Sequence, residues 1–311
     1  MVTTNFSFPS SDGRTNVHAV KWVPDNGEFG AILQITHGMV EFIERYEEFA
    51  RYLTSKGYLV VGHDHIGHGE SVVDKKEWGY FGEPNPSDLV VSDMHTLRTM
   101  IQKEYPDIPY FMLGHSMGSY MLRKYLSLHH EQLSGAIIMG TGYIPKGTTN
   151  LAKTLAKCIA AFKGWHYRSK FVADCAFGKP YKRYDLTGKN LSNSWLTKDE
   201  AIVKWYYEQP KCSFMFTLNG YMGLFEAVEC ACSPECVEKY PKNLPVFIVS
   251  GTDDPVGDMG DGVMRVYHML KDANMEDVTY KLYENDRHEI INETDKENVY
   301  ADILAWMNIR K

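Results

Sequence analysis

Residues 110–123 read Y-F-M-L-G-H-S-M-G-S-Y-M-L-R, and this stretch decides the fold. An apolar run comes first, then Ser116 between two glycines, then a helical pattern. The pattern G-x-S-x-G between a strand and a helix is typical of a tight turn that strains the serine backbone. The helix N-terminus behind the turn supplies backbone N–H groups and a positive dipole end. The sequence therefore predicts Ser116 as a nucleophile.

Short apolar runs and amphipathic helical patterns alternate on both sides of this stretch. The first forty residues read as strands, and over the whole chain we expect strands at 16–23, 31–36, 58–62, 110–113, 135–139, 245–250 and 278–283. We expect helices at 44–56, from a cap at Ser87 to before Pro106, at 119–128, near 263–271, and at the end of the chain, finishing at Lys311. This alternation predicts an α/β fold with a mostly parallel sheet and helices on both faces.

The alternation stops between about residues 142 and 240. This segment is rich in Trp, Tyr, Phe and Met, and its patterns indicate several helices and loops. We expect it to be an insertion folded over the sheet. The predicted core is then residues 1–141 and 241–311, and the predicted cap is residues 142–240.

The composition is that of an ordinary globular protein. Of 311 residues, 44% are hydrophobic and 23% are charged, and 33 basic against 40 acidic residues give a net charge of −7. No basic stretch indicates nucleic-acid binding. No apolar run approaches the roughly 18 residues of a membrane span, and residues 1–10 lack the basic and apolar regions of a signal peptide. We therefore expect a cytoplasmic location.

The six cysteines are expected to be free thiols. They are Cys158, Cys175, Cys212, Cys230, Cys232 and Cys236. In a chain of this size without a secretion signal, reduced thiols are more common than a disulfide framework. The last three form C-x-C-x-x-x-C, which lacks the C-x-x-C pairs of a structural zinc site.

A serine hydroxyl needs a base to take its proton, and a histidine base needs an orienting acid. G-T-D-D-P-V follows the sixth predicted strand, and E-N-D-R-H-E follows the seventh. His288 is the only histidine beyond that last strand, whereas the alternative, His268, lies inside a predicted helix. Asp253 and Asp254 both compete for the role of the acid, and either could instead stabilise a turn.

An oxyanion needs two aimed hydrogen-bond donors. The N–H of Met117, directly after the serine, is one candidate. The other is the N–H of Met39 in T-H-G-M-V-E, which follows the 31–36 strand and whose His-Gly pair lets the backbone turn over the site.

Five segments carry a family resemblance: H-G-M-V-E-F-I-E-R-Y, G-H-D-H-I-G-H-G-E-S, G-H-S-M-G, S-G-T-D-D-P-V-G-D and Y-E-N-D-R-H. In this order the chain resembles the monoacylglycerol lipase and lysophospholipase group of α/β-hydrolases, which is similar to the serine aminopeptidases. The resemblance implies the α/β-hydrolase fold with a helical cap. It places the acid on Asp254, and it implies Ser116 as nucleophile, His288 as base, and Met39 and Met117 as backbone oxyanion donors.

The resemblance implies a serine hydrolase that cleaves carboxylic esters of monoacylglycerols or lysophospholipid-type single-acyl lipids through an acyl-enzyme, with no cofactor or metal. A short-chain or aromatic-acyl carboxylesterase is the first alternative. An aminopeptidase is the second, and it would need cap carboxylates such as Glu208, Glu226 and Glu229 to bind an amino terminus. An inactive binding protein of the same fold is the third. The expected partner is a small acyl ester, and the oligomeric state is left open.

The histidine-rich loop G-H-D-H-I-G-H-G-E-S allows two interpretations. His63, Asp64, His65 and His68 could bind a metal, but no partner ligands stand at zinc-like spacing. The resemblance instead implies a structural loop in which Asp64, His65 and Ser71 form local hydrogen bonds.

Two apolar patterns in the predicted cap also allow more than one interpretation. Leu151, Leu155, Ile159 and Phe162 share one helical face, which either packs on the core, lines an acyl pocket or touches a lipid surface. A second cluster suits either a hydrocarbon chain or packing; it comprises Phe214, Met215, Phe216, Tyr221, Met222, Leu224 and Phe225.

Overall fold

The structure is a computed structural model that describes residues 1–129 and 133–311. Eight strands form one sheet in the order β1-β2-β4-β3-β5-β6-β7-β8. They are β1 (Val2–Pro9), β2 (Asn16–Val23), β3 (Ala31–Thr36), β4 (Tyr58–His63), β5 (Tyr110–His115), β6 (Gly135–Met139), β7 (Val246–Gly251) and β8 (Val278–Tyr283). Strands β3 to β8 are parallel, whereas β2 is antiparallel to both β1 and β4. The prediction of a mostly parallel sheet is confirmed.

Helices connect the parallel strands. They are α1 (Glu47–Thr54), α2 (Pro86–Glu104), α3 (Met117–Leu126), α4 (Lys146–Lys163), α5 (Lys170–Ala176), α6 (Glu200–Glu208), α7 (Leu218–Ala231), α8 (Pro234–Val237), α9 (Asp261–Asp272) and α10 (Lys296–Asn308). Within residues 1–129 and 133–311, no helix combines the length and the apolar character that a bilayer crossing requires.

The predicted strands agree with the observed ones to within two residues, but two helix starts differ. The first helix begins as a 3-10 turn, Ile43–Tyr46, before α1. Ser87 does not cap α2: the cap residue is Asn85, and Pro86 opens the helix with a backbone angle already suited to it. Ser87 lies inside the first turn, where its hydroxyl donates to Glu226 Oε2 over 2.8 Å.

The sheet separates two hydrophobic cores because successive strand residues point to opposite faces. In β5, Tyr110 and Met112 belong to the core that also holds residues of α2, α3, α7 and α9. Phe111 and Leu113 belong to the core formed with α1 and α10. Helices therefore cover both faces, and the carboxyl ends of the parallel strands meet at one edge.

The segment between β6 and β7 contains helices α4 to α8. Within it, α7 packs against α2, α3 and α4. Phe216, Tyr221, Met222 and Phe225 are buried in the same core as α2 and α3, so this part of the second apolar cluster serves packing. The division into residues 1–141 with 241–311 and a cap at 142–240 stays a prediction.

The expectation of free cysteines is wrong for one pair. Cys230 and Cys236 form a disulfide, because the end of α7 and the start of α8 bring their Cα atoms to 5.6 Å, within the usual range for such a bond. The remaining four are free: Cys158 and Cys175 are exposed, and Cys212 and Cys232 are buried.

Candidate active site

Ser116 occupies a strained turn between β5 and α3. Its φ of 54° and ψ of −120° lie outside the regions that L-residues favour. The flanking glycines are required by close approach: a Cβ on Gly114 would lie 2.4 Å from the carbonyl oxygen of Gly118. A Cβ on Gly118 would lie 2.1 Å from the carbonyl oxygen of Thr36 in β3. The turn therefore fits only with this spacing of glycines.

His288 and Asp254 form a buried pair on the loops after β8 and β7. His288 Nδ1 lies 3.0 Å from Asp254 Oδ1, and their side chains are 2% and 0% exposed. Asp254 also accepts hydrogen bonds from the Ser250 hydroxyl (2.9 Å) and the Val256 N–H (2.8 Å). Burial alone would raise the pKa of Asp254, but its interaction with the His288 ring and these hydrogen bonds hold it below its ordinary value.

The competing residues lie elsewhere. Asp253 presents its main-chain carbonyl to the Tyr184 hydroxyl over 2.7 Å, and its carboxylate makes no hydrogen bond to His288 in the part of the chain described. His268 is exposed on α9 and contacts Tyr267. The geometry thus pairs Asp254 with His288.

Ser116 and His288 are neighbours without a direct hydrogen bond. His288 Nε2 is buried and has no hydrogen-bond partner among residues 1–129 and 133–311. Its ring centroid is 4.7 Å from that of His115, the residue before Ser116. Nucleophile–base hydrogen bonds are often long before substrate binds, so the pairing of Ser116 with His288 stays a prediction.

Of the two predicted oxyanion donors, Met117 follows the serine in the chain, and Met39 lies in the loop that contacts the serine turn. Met117 is the first residue of α3, so its N–H has no partner within the helix. Met39 follows Gly38, where a Cβ would stand 2.9 Å from the Ser116 Cβ, which shows that the loop after β3 touches the turn. We call residues 37–41 the oxyanion loop after the predicted role of Met39.

The segment 192–198, between α5 and α6, holds the loop of His288. The indole of Trp195 stacks on the imidazole, and the Trp195 carbonyl accepts the His288 N–H over 3.3 Å. The Leu196 carbonyl accepts the Glu289 N–H over 2.7 Å. Arg287 donates to the carbonyl of Ser194 over 2.6 Å and to that of residue 197 over 3.2 Å. No motif in the sequence indicates this contact.

Trp195 also belongs to an aromatic cluster from the predicted cap. Its ring centroid lies 5.4 Å from Tyr181, which lies 5.1 Å from Phe177. Burial raises the pKa of Tyr181 well above its ordinary value, so the phenol stays neutral. An apolar aromatic wall therefore stands beside the imidazole.

A buried charged cluster lies on the other side of the turn, and the sequence analysis missed it. It comprises Glu41, Arg45, His115 and Glu289, whose side chains are 3–4% exposed. Two signals were present in the sequence: Glu41 and Arg45 stand four residues apart, and Glu289 directly follows His288.

The histidine-rich loop forms the local hydrogen bonds that the resemblance implied. Asp64 accepts from the backbone N–H groups of Ile43 and Glu70, each over 2.8 Å. His65 Nε2 lies 3.1 Å from the carbonyl oxygen of His37, so this loop supports the oxyanion loop from behind.

The possible metal ligands that lie close together in the structure differ from the set predicted for that loop. In the described part of the chain, the three-residue group with ligand atoms within 4.8 Å of one another is His18, Glu44 and Asp64. Only Asp64 belongs to the proposed set. His18 Nε2 already hydrogen bonds Glu44 over 2.8 Å, and its backbone N–H donates to the Ser71 hydroxyl.

Comparison with known proteins agrees with this geometry and confirms the predicted family and fold. A family model described as serine aminopeptidase, S33, matches residues 27–295, more than half of the chain. The monoglyceride lipase of Mus musculus is 25% identical over 295 residues, covering 93% of this chain and 86% of that protein. The monoglyceride lipase homolog of monkeypox virus is 27% identical over 281 residues, covering 89% of each.

Among solved structures, a thermostable carboxyl esterase from Bacillus coagulans in complex with glycerol has a TM-score of 0.90 and 31% identity, covering 100% of this chain and 99% of that one. These relatives support a carboxylic ester hydrolase. The chain belongs to the serine aminopeptidase S33 family of α/β-hydrolases.

Proposed function

We propose that the protein is a serine hydrolase that cleaves the carboxylic ester of single-acyl lipids, monoacylglycerols or lysophospholipids, through an acyl-enzyme. The observation that carries this proposal is the buried hydrogen bond between His288 Nδ1 and Asp254 Oδ1 beside the strained Ser116. An Nδ1–H donated to a carboxylate leaves Nε2 as the basic nitrogen.

In the proposed reaction, His288 Nε2 takes the proton of the Ser116 hydroxyl as its oxygen attacks the ester carbonyl. The N–H groups of Met39 and Met117 donate to the oxyanion. The alcohol leaves with the proton from His288, which gives an acyl-enzyme on Ser116. Water, deprotonated by His288, then attacks the acyl carbon and releases the acid and free serine.

A lipid substrate class is supported by the relatives named monoglyceride lipases and by the apolar surroundings of the base. The aromatic cluster of Phe177, Tyr181 and Trp195 offers apolar surface where a substrate would approach His288. Such walls suit hydrocarbon or aryl groups. An aromatic-acyl esterase therefore remains the second candidate.

The cap carboxylates argue against an aminopeptidase. Glu226 accepts from Ser87 in α2, and Glu229 pairs with Lys153 in α4. Glu208 is 62% exposed beside Lys204, which is 4.0 Å away. Glu226 and Glu229 are thus already engaged within the protein, which weakens the case for an aminopeptidase.

We also propose transient contact between α4 and a lipid surface. The predicted stripe divides in the structure: Leu155 and Ile159 are partly buried against the core, whereas Leu151 and Phe162 are 72% and 89% exposed. Exposed apolar side chains on a helix that also carries lysines are typical of interfacial binding. Replacing Leu151 and Phe162 with serine should reduce co-sedimentation with phosphatidylcholine vesicles; unchanged co-sedimentation would contradict the contact.

The cytoplasm remains our proposed location. Four of the six cysteines are free, and two of these are exposed, as is usual in a reducing compartment. The Cys230–Cys236 disulfide is unusual there. Immunodetection in fractionated cells, compared with a secreted marker, tests the location directly.

The nucleophile is tested with Ser116→Ala, with Ser127→Ala at the end of α3 as a matched control. We expect Ser116→Ala to abolish hydrolysis of p-nitrophenyl butyrate and labelling by a fluorophosphonate, while Ser127→Ala retains both. Retained turnover by folded Ser116→Ala would refute the mechanism. Failure of the wild-type protein to react with the fluorophosphonate would favour the binding-protein alternative.

The substrate class is tested with one panel of esters and amides. The panel contains p-nitrophenyl esters from acetate to palmitate, a cinnamoyl ester, 2-oleoylglycerol, a lysophosphatidylcholine and an aminoacyl p-nitroanilide. We expect the highest kcat/KM for long-chain monoacyl lipids. A maximum at acetate or cinnamate would favour the esterase alternative, and cleavage of the anilide would favour the aminopeptidase.

A further inference from the structure

The buried charged cluster links the three loops that meet at the proposed active site. Arg45 pairs with Glu41 over 2.7 Å and with Glu289 over 2.6 Å. Glu41 accepts the backbone N–H of Gly38 in the oxyanion loop. His115, the residue before the nucleophile, completes the cluster through Glu41.

Each ring nitrogen of His115 faces a hydrogen-bond acceptor. Nδ1 lies 3.1 Å from Glu41 Oε1, and Nε2 lies 3.3 Å from the main-chain carbonyl oxygen of His288. The Tyr46 hydroxyl also lies 3.1 Å from Nδ1, but it donates its hydrogen to Glu41 Oε1. A neutral imidazole has one N–H and could satisfy only one of these acceptors, whereas an imidazolium satisfies both.

The charge count of the cluster leads to the same protonation state. The carboxylates of Glu41 and Glu289 with the guanidinium of Arg45 would leave one uncompensated negative charge in a buried site, which is costly. A positive His115 makes the cluster neutral. Burial alone would lower the pKa of His115, but its hydrogen bond with Glu41 and the nearby acids raise it above its ordinary value.

The pKa of Glu41 changes in the complementary direction. Burial would raise it, but the hydrogen bond with His115 and the charge of Arg45 lower it to about 2. The Glu41 carboxylate is therefore charged at neutral pH, and the direction of both shifts favours the ion pair with His115.

We propose that His115 is a buried imidazolium and a positioning residue. It joins the carboxylate that holds the oxyanion loop to the main chain of His288. This inference rests on the proposed function, because that function gives the two loops their catalytic meaning.

The groups that face His115 come from every neighbouring element. Glu41 belongs to the oxyanion loop, Tyr46 to the 3-10 turn before α1, and His288 and Glu289 to the loop after β8; Arg45 acts through Glu41. Loss of the ring proton would leave a lone pair against an acceptor oxygen. We expect the two loops to loosen and kcat to fall as pH rises through the pKa of His115.

The protonation state is measured on the wild-type protein by NMR of the histidine ring nitrogens. The His115 signals are assigned by their loss in His115→Asn. We expect both ring nitrogens of His115 to carry a hydrogen at pH 7.5. A ring nitrogen without hydrogen at that pH would overturn the proposal, whatever the activity of the enzyme.

The positioning role is measured with Glu41→Gln, which keeps shape but removes the charge that holds the imidazolium. Glu44→Gln is the matched control, because Glu44 pairs with His18 outside the cluster. We expect Glu41→Gln to lower kcat for a p-nitrophenyl ester on the order of 10²-fold, as for small misplacements of reacting groups, with little change in KM. In a plot of kcat against pH, the fall in kcat at high pH (the alkaline limb) should move to lower pH for Glu41→Gln. The Glu44→Gln profile should match that of the wild type.

The outcomes separate the two proposals. An unshifted alkaline limb in folded Glu41→Gln would overturn the role of His115 even if Ser116→Ala abolishes turnover. Absence of ester hydrolysis by the wild type would instead overturn the proposed function, and the NMR measurement would still decide the protonation of His115. If Glu41→Gln does not fold, that measurement on the wild type decides alone.

Discussion

The indole of Trp195 lies on the imidazole of His288, with ring centroids 4.9 Å apart and an angle of 26° between the planes. The same residue accepts the His288 N–H through its carbonyl oxygen. The loop that carries the proposed base is therefore fixed by a segment inserted between β6 and β7. Changes in that segment are expected to alter catalysis directly as well as substrate choice.

We expect Trp195→Ala to lower kcat/KM for a p-nitrophenyl ester by up to about tenfold, since an aromatic pair contributes about 0.5–1.5 kcal/mol. Trp195→Phe keeps a ring and should lose less. Trp205→Ala is the control, because Trp205 is half exposed and its ring contacts Phe42. Equal kinetics for Trp195→Ala and the wild type would contradict a role for the stack.

Adjacent aspartates provide a matched test of the acid. Asp254→Asn should lower kcat by about 10⁴-fold, because an amide no longer holds the Nδ1–H tautomer of His288. Asp253→Asn should stay close to the wild type, since the carboxylate of Asp253 does not contact the imidazole. Steady-state kinetics at pH 7.5 on both variants decide; equal losses would point to a structural role for the turn.

Stability is expected to fall in acid because four buried histidines resist protonation. Burial lowers the pKa of His37 and His63 well below their ordinary values, that of His65 to about 4 and that of His68 to about 3. The unfolded chain binds these protons near pH 6.5, so below that pH it takes up more protons than the native state. The free energy of unfolding therefore decreases as pH falls from about 6.5.

His63→Leu isolates one of these groups, since neither ring nitrogen of His63 has a hydrogen-bond partner in residues 1–129 and 133–311. Between pH 7.5 and 5.5 the variant should lose about 1.4 kcal/mol less stability than the wild type. The exposed His268→Leu should follow the wild-type curve. Urea denaturation at both pH values provides the measurement; parallel curves for His63→Leu and wild type would contradict the assignment.

The Cys230–Cys236 disulfide sets the number of cysteines that can react with an alkylating agent before reduction. Under denaturing, non-reducing conditions, iodoacetamide should modify the four free cysteines, and after reduction all six. In the native protein, Cys158 and Cys175 should react first because they are exposed. Mass spectrometry of the alkylated protein gives the count, and six reactive thiols without reduction would restore the original expectation.

Much of the fold could be predicted because its signals are local. Apolar runs of four to eight residues between turn signals gave strands within two residues of their positions. The start of α2 was misplaced because Ser87 resembles a cap, whereas Pro86 sets the first turn. The pair Cys230–Cys236 was missed because disulfide formation depends on how α7 meets α8. The spacing of the cysteines in the sequence does not show that arrangement.

The sequence by itself determined the α/β-hydrolase family, the strand order along the chain and the candidates Ser116, Asp254 and His288. Motifs of this kind lie within a few residues, where backbone sterics and turn chemistry act. Only the tertiary structure decided that Trp195 covers His288 and that Glu41, His115 and Glu289 share one buried charge cluster. Those contacts join residues that are distant in the chain, and their energies depend on burial, which exists only after the chain has folded.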